Sequence, residues 1–326
     1  MIIFIFFIIL NFSNNFKRKK NRTLIYALCV FTAGGIGYIA WVMVSTHPYQ
    51  GTYFNALASN PSKRYEKDFW GVSYRSGLQY ILDHDTSQKI VVSSWDKNVK
   101  QTLQIFTSEE RNRFRFTDHI EFADYYLSNF RWEYRIPIDA PVFFTARTPD
   151  AVLMTVHKIP AGKFSRTVMY STTNDFEKSY PFWANIEGTK VIELSAAHSA
   201  THACSTDSVN YESSRFFFPV KSIPALSGKL FLRATLWKYV TAPDFNSVFV
   251  VTAEAPGSNP DYQYALHTNH FRDTETGVWR NVVFEAELPR DLPKEDYIYA
   301  FIQNTDGGKI YIDDFTVELI EVTGNN

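Results

Sequence analysis

Hydrophobic residues are spaced in three different ways along this chain. From Thr23 to Thr46, TLIYALCVFTAGGIGYIAWVMVST contains no charged side chain. At about 1.5 Å of rise per residue it reaches roughly 36 Å as a helix, enough to cross a hydrocarbon core of about 30 Å. Gly34, Gly35 and Gly37 would let a neighbouring helix approach closely. Tyr38 and Trp41 fall towards one end, where interfacial aromatics belong. From residue 47 to 160 the spacing alternates between helix and strand. In WGVSYRSGLQYILDHD, the positions of Val72, Leu78, Ile81 and Leu82 predict one amphipathic helix. KIVVSSW (89–95) predicts a short buried strand, and NVKQTLQIF a second helix capped by Asp96 or Asn98. FADYYLSNF (122–130), APVFFTART and AVLMTVHKI predict further strands. This alternation describes a small α/β unit on a parallel or mixed sheet. No glycine-rich phosphate loop follows any of its strands, so a nucleotide-binding role has no support.

From residue 164 to the end, short runs rich in Val, Phe, Tyr and Leu recur between Pro, Gly, Asn and Asp. They include KVIELSA, SSRFFFPV, GKLFLRATLWKY, NSVFVVTAEA, DYQYALHT, WRNVVFEAEL, DYIYAFIQN and KIYIDDFTVELIEV. Runs of this kind predict a β-sandwich of about eight to ten strands. LFLRATLWKYV and IYIDDFTVEL alternate as half-buried strands do. The expected fold class is a transmembrane helix plus a small α/β domain plus an all-β jelly-roll sandwich, with boundaries at 1–46, 47–160 and 164–326.

Charge adds an orientation. KRKKNR, Lys17 to Arg22, places the preceding loop in the cytoplasm by the positive-inside rule, so everything after Thr46 is expected to be extracytoplasmic. MIIFIFFIILNF before it is apolar but only about 18 Å long as a helix, too short to span. Its basic residues follow the apolar run instead of preceding it, unlike a signal peptide. Residues 1–12 therefore read as the tail of a longer spanning helix of a larger protein. The chain has 326 residues, 45% hydrophobic and 17% aromatic, which is ample material for a buried core and argues against disorder. A net charge of −1 without a basic stripe gives no support to nucleic-acid binding. Cys29 and Cys204 are the only cysteines, far apart and outside any metal spacing, so no disulfide is expected.

HPYQGTYFN, YEKDFWGVSYRSGLQYIL, ADYYLSNF and AVLMTVHKI, in that order, resemble the carboxy-terminal part of bacterial multi-spanning glycosyltransferases of the dolichyl-phosphate-mannose-protein mannosyltransferase type. The resemblance covers about residues 23 to 160. It implies that a polyprenyl-phosphate-linked sugar is handled on the extracytoplasmic face, with His47, Tyr49, Gln50, Asn55, Asp68 and Trp70 near that substrate. It also implies that the family's catalytic acid lies in a first extracytoplasmic loop that this sequence does not contain, so no catalytic residue is assigned. Asp68 in KDFWG is a lone carboxylate without a partner or metal motif. A helix cap, or an anchor for the motif, is its structural reading.

The second half carries another resemblance. NDFE followed by Trp183, then AAHSATHACS, LSGKLFLRATLW, GVWRNVVFEAELP and IYIDDFTVELI, look like a jelly-roll carbohydrate-binding-module-like domain. That implies a structural calcium bridging the first and last strands through Glu177 and Asp313 or Asp314, whose hard oxygens suit the ion. The alternative is that the two aspartates cap a strand end. Sugar binding would need exposed aromatic platforms. Trp183, Trp237, Tyr239, Tyr262 and Tyr264 are the candidates, and in so aromatic a domain each also suits the core. His198 and His202 are four apart in loop or strand, without a third ligand, so zinc is not assigned. No G-x-S-x-G elbow is present.

Two functions follow. One is the extracytoplasmic end of a membrane glycosyltransferase, inactive without its missing amino-terminal spanning part. The other is a membrane-anchored, non-catalytic surface module that binds glycan or a partner protein.

Overall fold

The computed structural model describes residues 22–50, 68, 70–131, 138–149, 151–185, 189–193, 197–243, 246–255, 265–272 and 276–324. The short apolar run 1–12 and most of the basic cluster lie outside the described residues. Helix α1 (Arg22–Ser45) covers the long apolar stretch. Its segment Tyr26–Ser45 is long and apolar enough to cross a membrane, as an anchor or as a signal sequence, and little of it is buried. By contacts the chain forms two compact units. One holds residues up to Arg115 together with Tyr125–Lys158, the other Phe116–Asp124 together with Ile159–Asn326.

The first unit is built on helix α2 (Val72–His84), which buries Leu78 and Ile81 of the expected stripe together with Tyr74, while Val72 is exposed and Leu82 half-buried. Gly77 lies on the same face. A Cβ there would come within 2.4 Å of the end of the Met154 side chain and 3.0 Å of Val156, so a larger residue would require the Met154 side chain to shift. The sheet contains β1 (Ile90–Ser93), β2 (Phe114–Thr117), β3 (Tyr125–Ser128), β4 (Val142–Arg147) and β5 (Val152–Lys158), in the order β2-β1-β3-β5-β4. β1 and β3 are parallel, while β3–β5 and β4–β5 are antiparallel, so the sheet is mixed.

Three local expectations need revision. NVKQTLQIF divides into α3 (Asn98–Thr102) and a 3₁₀ turn (Leu103–Ile105). The strand expected over 122–130 shortens to β3, because Phe122 ends another 3₁₀ turn (Ile120–Phe122). An additional helix, α4 (Ser108–Arg113), starts from a capping box. The Glu110 amide donates to Thr107 Oγ1, and the Thr107 amide donates to the Glu110 carboxylate at 2.9 Å.

The second unit is a sandwich of two antiparallel sheets. One contains β7 (Trp183–Ala184), β10 (Arg215–Pro219), β12 (Asn246–Glu254), β13 (His267–Arg272) and β15 (Tyr297–Asn304), ordered β13-β12-β15-β10-β7. The other contains β8 (Lys190–Glu193), β9 (His202–Thr206), β11 (Lys229–Val240), β14 (Arg280–Leu288) and β16 (Ile310–Gly324), ordered β14-β11-β16-β9-β8, with β6 (Phe164–Asn174) pairing to β16. Alternation decides what lies between them. Leu230, Leu232, Ala234 and Leu236 from β11 meet Phe216, Phe249, Val251, Ile298, Ala300 and Ile302 from the other sheet in one core. Of the strand expected over DYQYALHT, residues 261–264 lie outside the described residues, and β13 begins at His267.

Candidate functional site

Of the segment after α1, His47, Tyr49 and Gln50 are described and Asn55 lies outside the described residues. Gln50 Nε2 lies 2.8 Å from His47 Nδ1. Tyr49 is buried and its hydroxyl donates to Ser76 Oγ of α2 at 2.6 Å, fastening the segment to the α/β unit. Asp68 is buried and uses both carboxylate oxygens at the start of α2, accepting from the amides of Val72 (2.9 Å) and Ser73 (2.8 Å). The first amides of a helix have no acceptor within it, and a carboxylate there is a cap. Trp70, two residues on, is exposed.

In the sandwich, the two aspartates sit at a bulge. Thr235 pairs with Thr316 while Trp237 pairs with Asp313, so β16 carries an extra residue there, and Asp314 takes φ +47°. Asp313 Oδ2 accepts from the Ser199 amide at 2.9 Å, and Asp314 accepts from Ser199 Oγ and sits 2.7 Å from His198 Nδ1. Glu177 holds the other end of the same segment. It accepts from the amides of Thr201 (2.8 Å) and His202 (2.6 Å), with its other oxygen 2.8 Å from His202 Nδ1. The His202 hydrogen bond, helped by those amides, lowers the Glu177 carboxyl to about 2. Asp313 moves the other way, raised by burial. The three carboxylates thus tie residues 198–202 to the sheet. Among the described residues no three His, Cys, Asp or Glu side chains gather as an ion site.

The two described tryptophan candidates are occupied. Trp183 donates from Nε1 to Thr172 Oγ1 and packs edge-on against Phe216 and Phe315 beside the core. The ring of Trp237 is stacked against His198 at 3.8 Å. Tyr239 packs among Trp279 and Tyr311, and Tyr262 and Tyr264 lie outside the described residues.

Sequence reasoning missed a different aromatic row. On β15, Ile298, Ala300 and Ile302 face the core, so Tyr297, Tyr299, Phe301 and Gln303 occupy the outer face. Register places Thr252 opposite Tyr299 and Glu254 opposite Tyr297 on β12, with Phe217 of β10 on the far side of Tyr299. Tyr297 lies 6.4 Å from Tyr299 and 6.2 Å from Phe217 between ring centres, and all three are half-buried. Beside these aromatics Thr252 Oγ1 and Glu254 Oε1 are buried without a hydrogen-bond partner, as is Gln303 Oε1 farther along β15 opposite Val248. Thr252 is 0% exposed. Beside them Arg215 pairs with Glu212 at 2.6 Å and lies over the Phe301 ring. The alternation in YIYAFIQN was the available signal, with aromatic rings at 297, 299 and 301.

No family model matches the chain, and no curated protein matches it. Among solved structures it is similar to the C-terminal family 22 carbohydrate-binding module of Clostridium thermocellum Xyn10B, at 11% identity over 47% of this chain and 94% of that one, with a TM-score of 0.32. It is also similar to a xylan-binding domain from Paenibacillus barcinonensis Xyn10C, at 12% identity over 48% and 96%, with a TM-score of 0.29. A third is a family 61 module solved with β-1,4-galactotriose, at 16% identity over 44% and 88%, with a TM-score of 0.24.

Proposed function

We propose that the second unit is a non-catalytic, jelly-roll glycan-binding module carried outside the cytoplasm on a membrane-anchored chain. The observation that carries this reading is the pair of buried, unpartnered oxygens at Thr252 and Glu254 beside Tyr297, Tyr299 and Phe217, with a third at Gln303 farther along the same face. A buried polar atom without a partner costs roughly 1–3 kcal/mol, and a ligand that supplies the partner recovers it. An oligosaccharide offers hydroxyls to those oxygens and the C–H face of a ring to the tyrosines. The test is calorimetric titration of the full chain in detergent with a panel of neutral oligosaccharides. At least one is expected to bind, with the affinity falling about tenfold in Tyr299→Ala. Absence of binding across the panel, or affinity unchanged in that variant, rejects the face.

Calcium remains a proposal for the same unit. The hard oxygens of Glu177, Asp313 and Asp314 all attach to one short segment, and an ion would take the places of the amide and hydroxyl donors they now accept. A melting temperature higher in calcium than in chelator is the expected result, and equal values remove the ion.

The α/β unit supports a second reading, the end of a membrane glycosyltransferase that works on a lipid-linked sugar together with a spanning part encoded elsewhere. What favours it is Tyr49, whose bond to Ser76 holds the post-helix segment on this unit. Asp68 acts as a cap, so the acid would come from that other part. A reading frame continuing upstream of Met1 into spanning helices supports it. A stop codon there, with no neighbouring frame for the missing part, overturns it.

A further inference from the structure

One edge of the α/β unit exposes large apolar side chains close to the end of α1. That end is not free in solvent. Val42, Thr46 and Tyr49 are buried, although little of the span Tyr26–Ser45 is. The Tyr49 hydroxyl donates to Ser76 Oγ at 2.6 Å, so the chain leaving α1 is attached to α2. Val72, the first residue of α2, lies one helical turn before Ser76, roughly 6 Å away along the axis.

Trp70 leads into that turn, and a second tryptophan is held beside it. Asn129 Nδ2 donates to the Asp68 carbonyl at 3.3 Å and to Asp96 Oδ2 at 2.9 Å, clamping the chain before α2 to the chain after β1. Across the same junction a Cβ at Gly71 would stand 3.1 Å from Asn98 Cβ. Trp70 and Trp95 therefore sit on neighbouring segments. Trp70 is 79% exposed, Trp95 67% and Val72 46%. Tryptophan is highly buried on average in water-soluble domains, so two exposed on adjoining segments mark a surface with a partner.

α1 says which partner. These rings belong to a unit fastened, within a few residues, to a segment long and apolar enough to cross a membrane. Indole suits a bilayer boundary, with an apolar body for the acyl region and an N–H for the headgroups. We propose that Trp70, Val72 and Trp95 rest in the interfacial layer of the bilayer that α1 crosses, holding the α/β unit against the membrane. This placement rests on the reading of α1 as a membrane anchor. A separate protein would need to be brought to this edge, whereas the attachment through Tyr49 presents it to lipid in every copy of the chain.

The experiment places the full chain in phosphatidylcholine vesicles, with and without bromine atoms near the headgroup end of the acyl chains. Bromine quenches tryptophan emission at short range. Trp41, inside α1, reports the anchor by itself, so the edge is read in Trp41→Phe. Quenching is expected to persist in Trp41→Phe and to be mostly lost when Trp70→Phe and Trp95→Phe are added. Trp70 and Trp95 are exposed, and an unchanged melting temperature shows that the triple variant folds. Quenching abolished by Trp41→Phe alone overturns the placement, leaves the anchor standing and gives the edge to a partner other than lipid. Residual quenching untouched by the other two substitutions also overturns the placement. No quenching in the parent chain overturns the anchor and the placement together.

Discussion

The sandwich has two outer faces, and the chain treats them differently. The face of the β14-β11-β16 sheet is covered at one end by the protein itself. Phe231 alternates with the core residues Leu230 and Leu232, so it points outward, yet it is fully buried among Phe122, Ile320, Val322 and Phe164. Several polar groups around it are paired, while Arg233 Nε is buried without a hydrogen-bond partner, 3.8 Å from Glu285. Lys229 reaches Glu121 at 2.8 Å and Glu287 at 3.0 Å, Arg166 donates to the Glu121 carbonyl, and Thr117 donates to Glu285 at 3.1 Å. The face of the β12-β15-β10 sheet is also covered in part, with Val248, Val250 and Phe301 buried together against Ala265, and it leaves oxygens of Thr252 and Glu254 unpartnered beside its tyrosines and that of Gln303 farther along. Native proteins pair nearly all their buried polar groups. Arg233 Nε and Ser205 Oγ are likewise buried without hydrogen-bond partners on strands of the first sheet, so the second face differs in carrying three such oxygens, two of them beside its tyrosines.

The sharpest way to break this comparison is to truncate one aromatic on each face. Phe231→Ala opens a cavity beneath the covering segment and is expected to destabilise the second unit by about 3–5 kcal/mol in urea unfolding. Tyr299→Ala is expected to cost no more than about 1 kcal/mol while weakening glycan binding. Equal stability losses would mean that both faces serve packing alone.

A smaller effect of opposite sign sharpens it. Thr252→Val keeps the side-chain shape and removes a buried hydroxyl that has no partner. The variant is expected to be more stable by about 1 kcal/mol and to bind glycan less well. A loss of stability would show that the hydroxyl already has a partner in the folded chain.

Local pattern made much of this legible in the sequence. α2 follows the spacing of Leu78 and Ile81, and the alternation of LFLRATLWKYV places Leu232 and Leu236 in the core. The capping box at Thr107 and Glu110 was equally local but was hidden in a charged stretch with no apolar stripe. The covering segment was out of reach. Residues 116–124 lie in sequence between strands of the α/β sheet, yet by contacts they belong to the sandwich unit, through Phe122 and Glu121. Such a partnership depends on residues more than a hundred positions away, and no periodicity encodes it. Side-chain size marked Trp183 and Trp237, but neighbours decide what a ring does, and here Phe216 and Phe315 take one and His198 the other.

The smallest effect concerns the 198–202 segment at the other end of the covered sheet, where two carboxylates carry opposite pH signatures. Glu177 is lowered to about 2 from its ordinary 4.5, by its hydrogen bonds to His202 and Thr201. The unfolded chain therefore holds that proton more tightly, so the contribution is complete above about 4.5 and is lost as pH falls towards 2. Asp313 is raised by burial, so protonation relieves a folded-state cost and acid favours folding at that site. Between about pH 5 and pH 3 the melting temperature of Glu177→Gln should fall less steeply than that of the parent chain, and that of Asp313→Asn more steeply. Parallel slopes for all three proteins would show that neither carboxylate holds the segment through its charge, leaving hydrogen bonding by neutral groups to account for this end of the sheet.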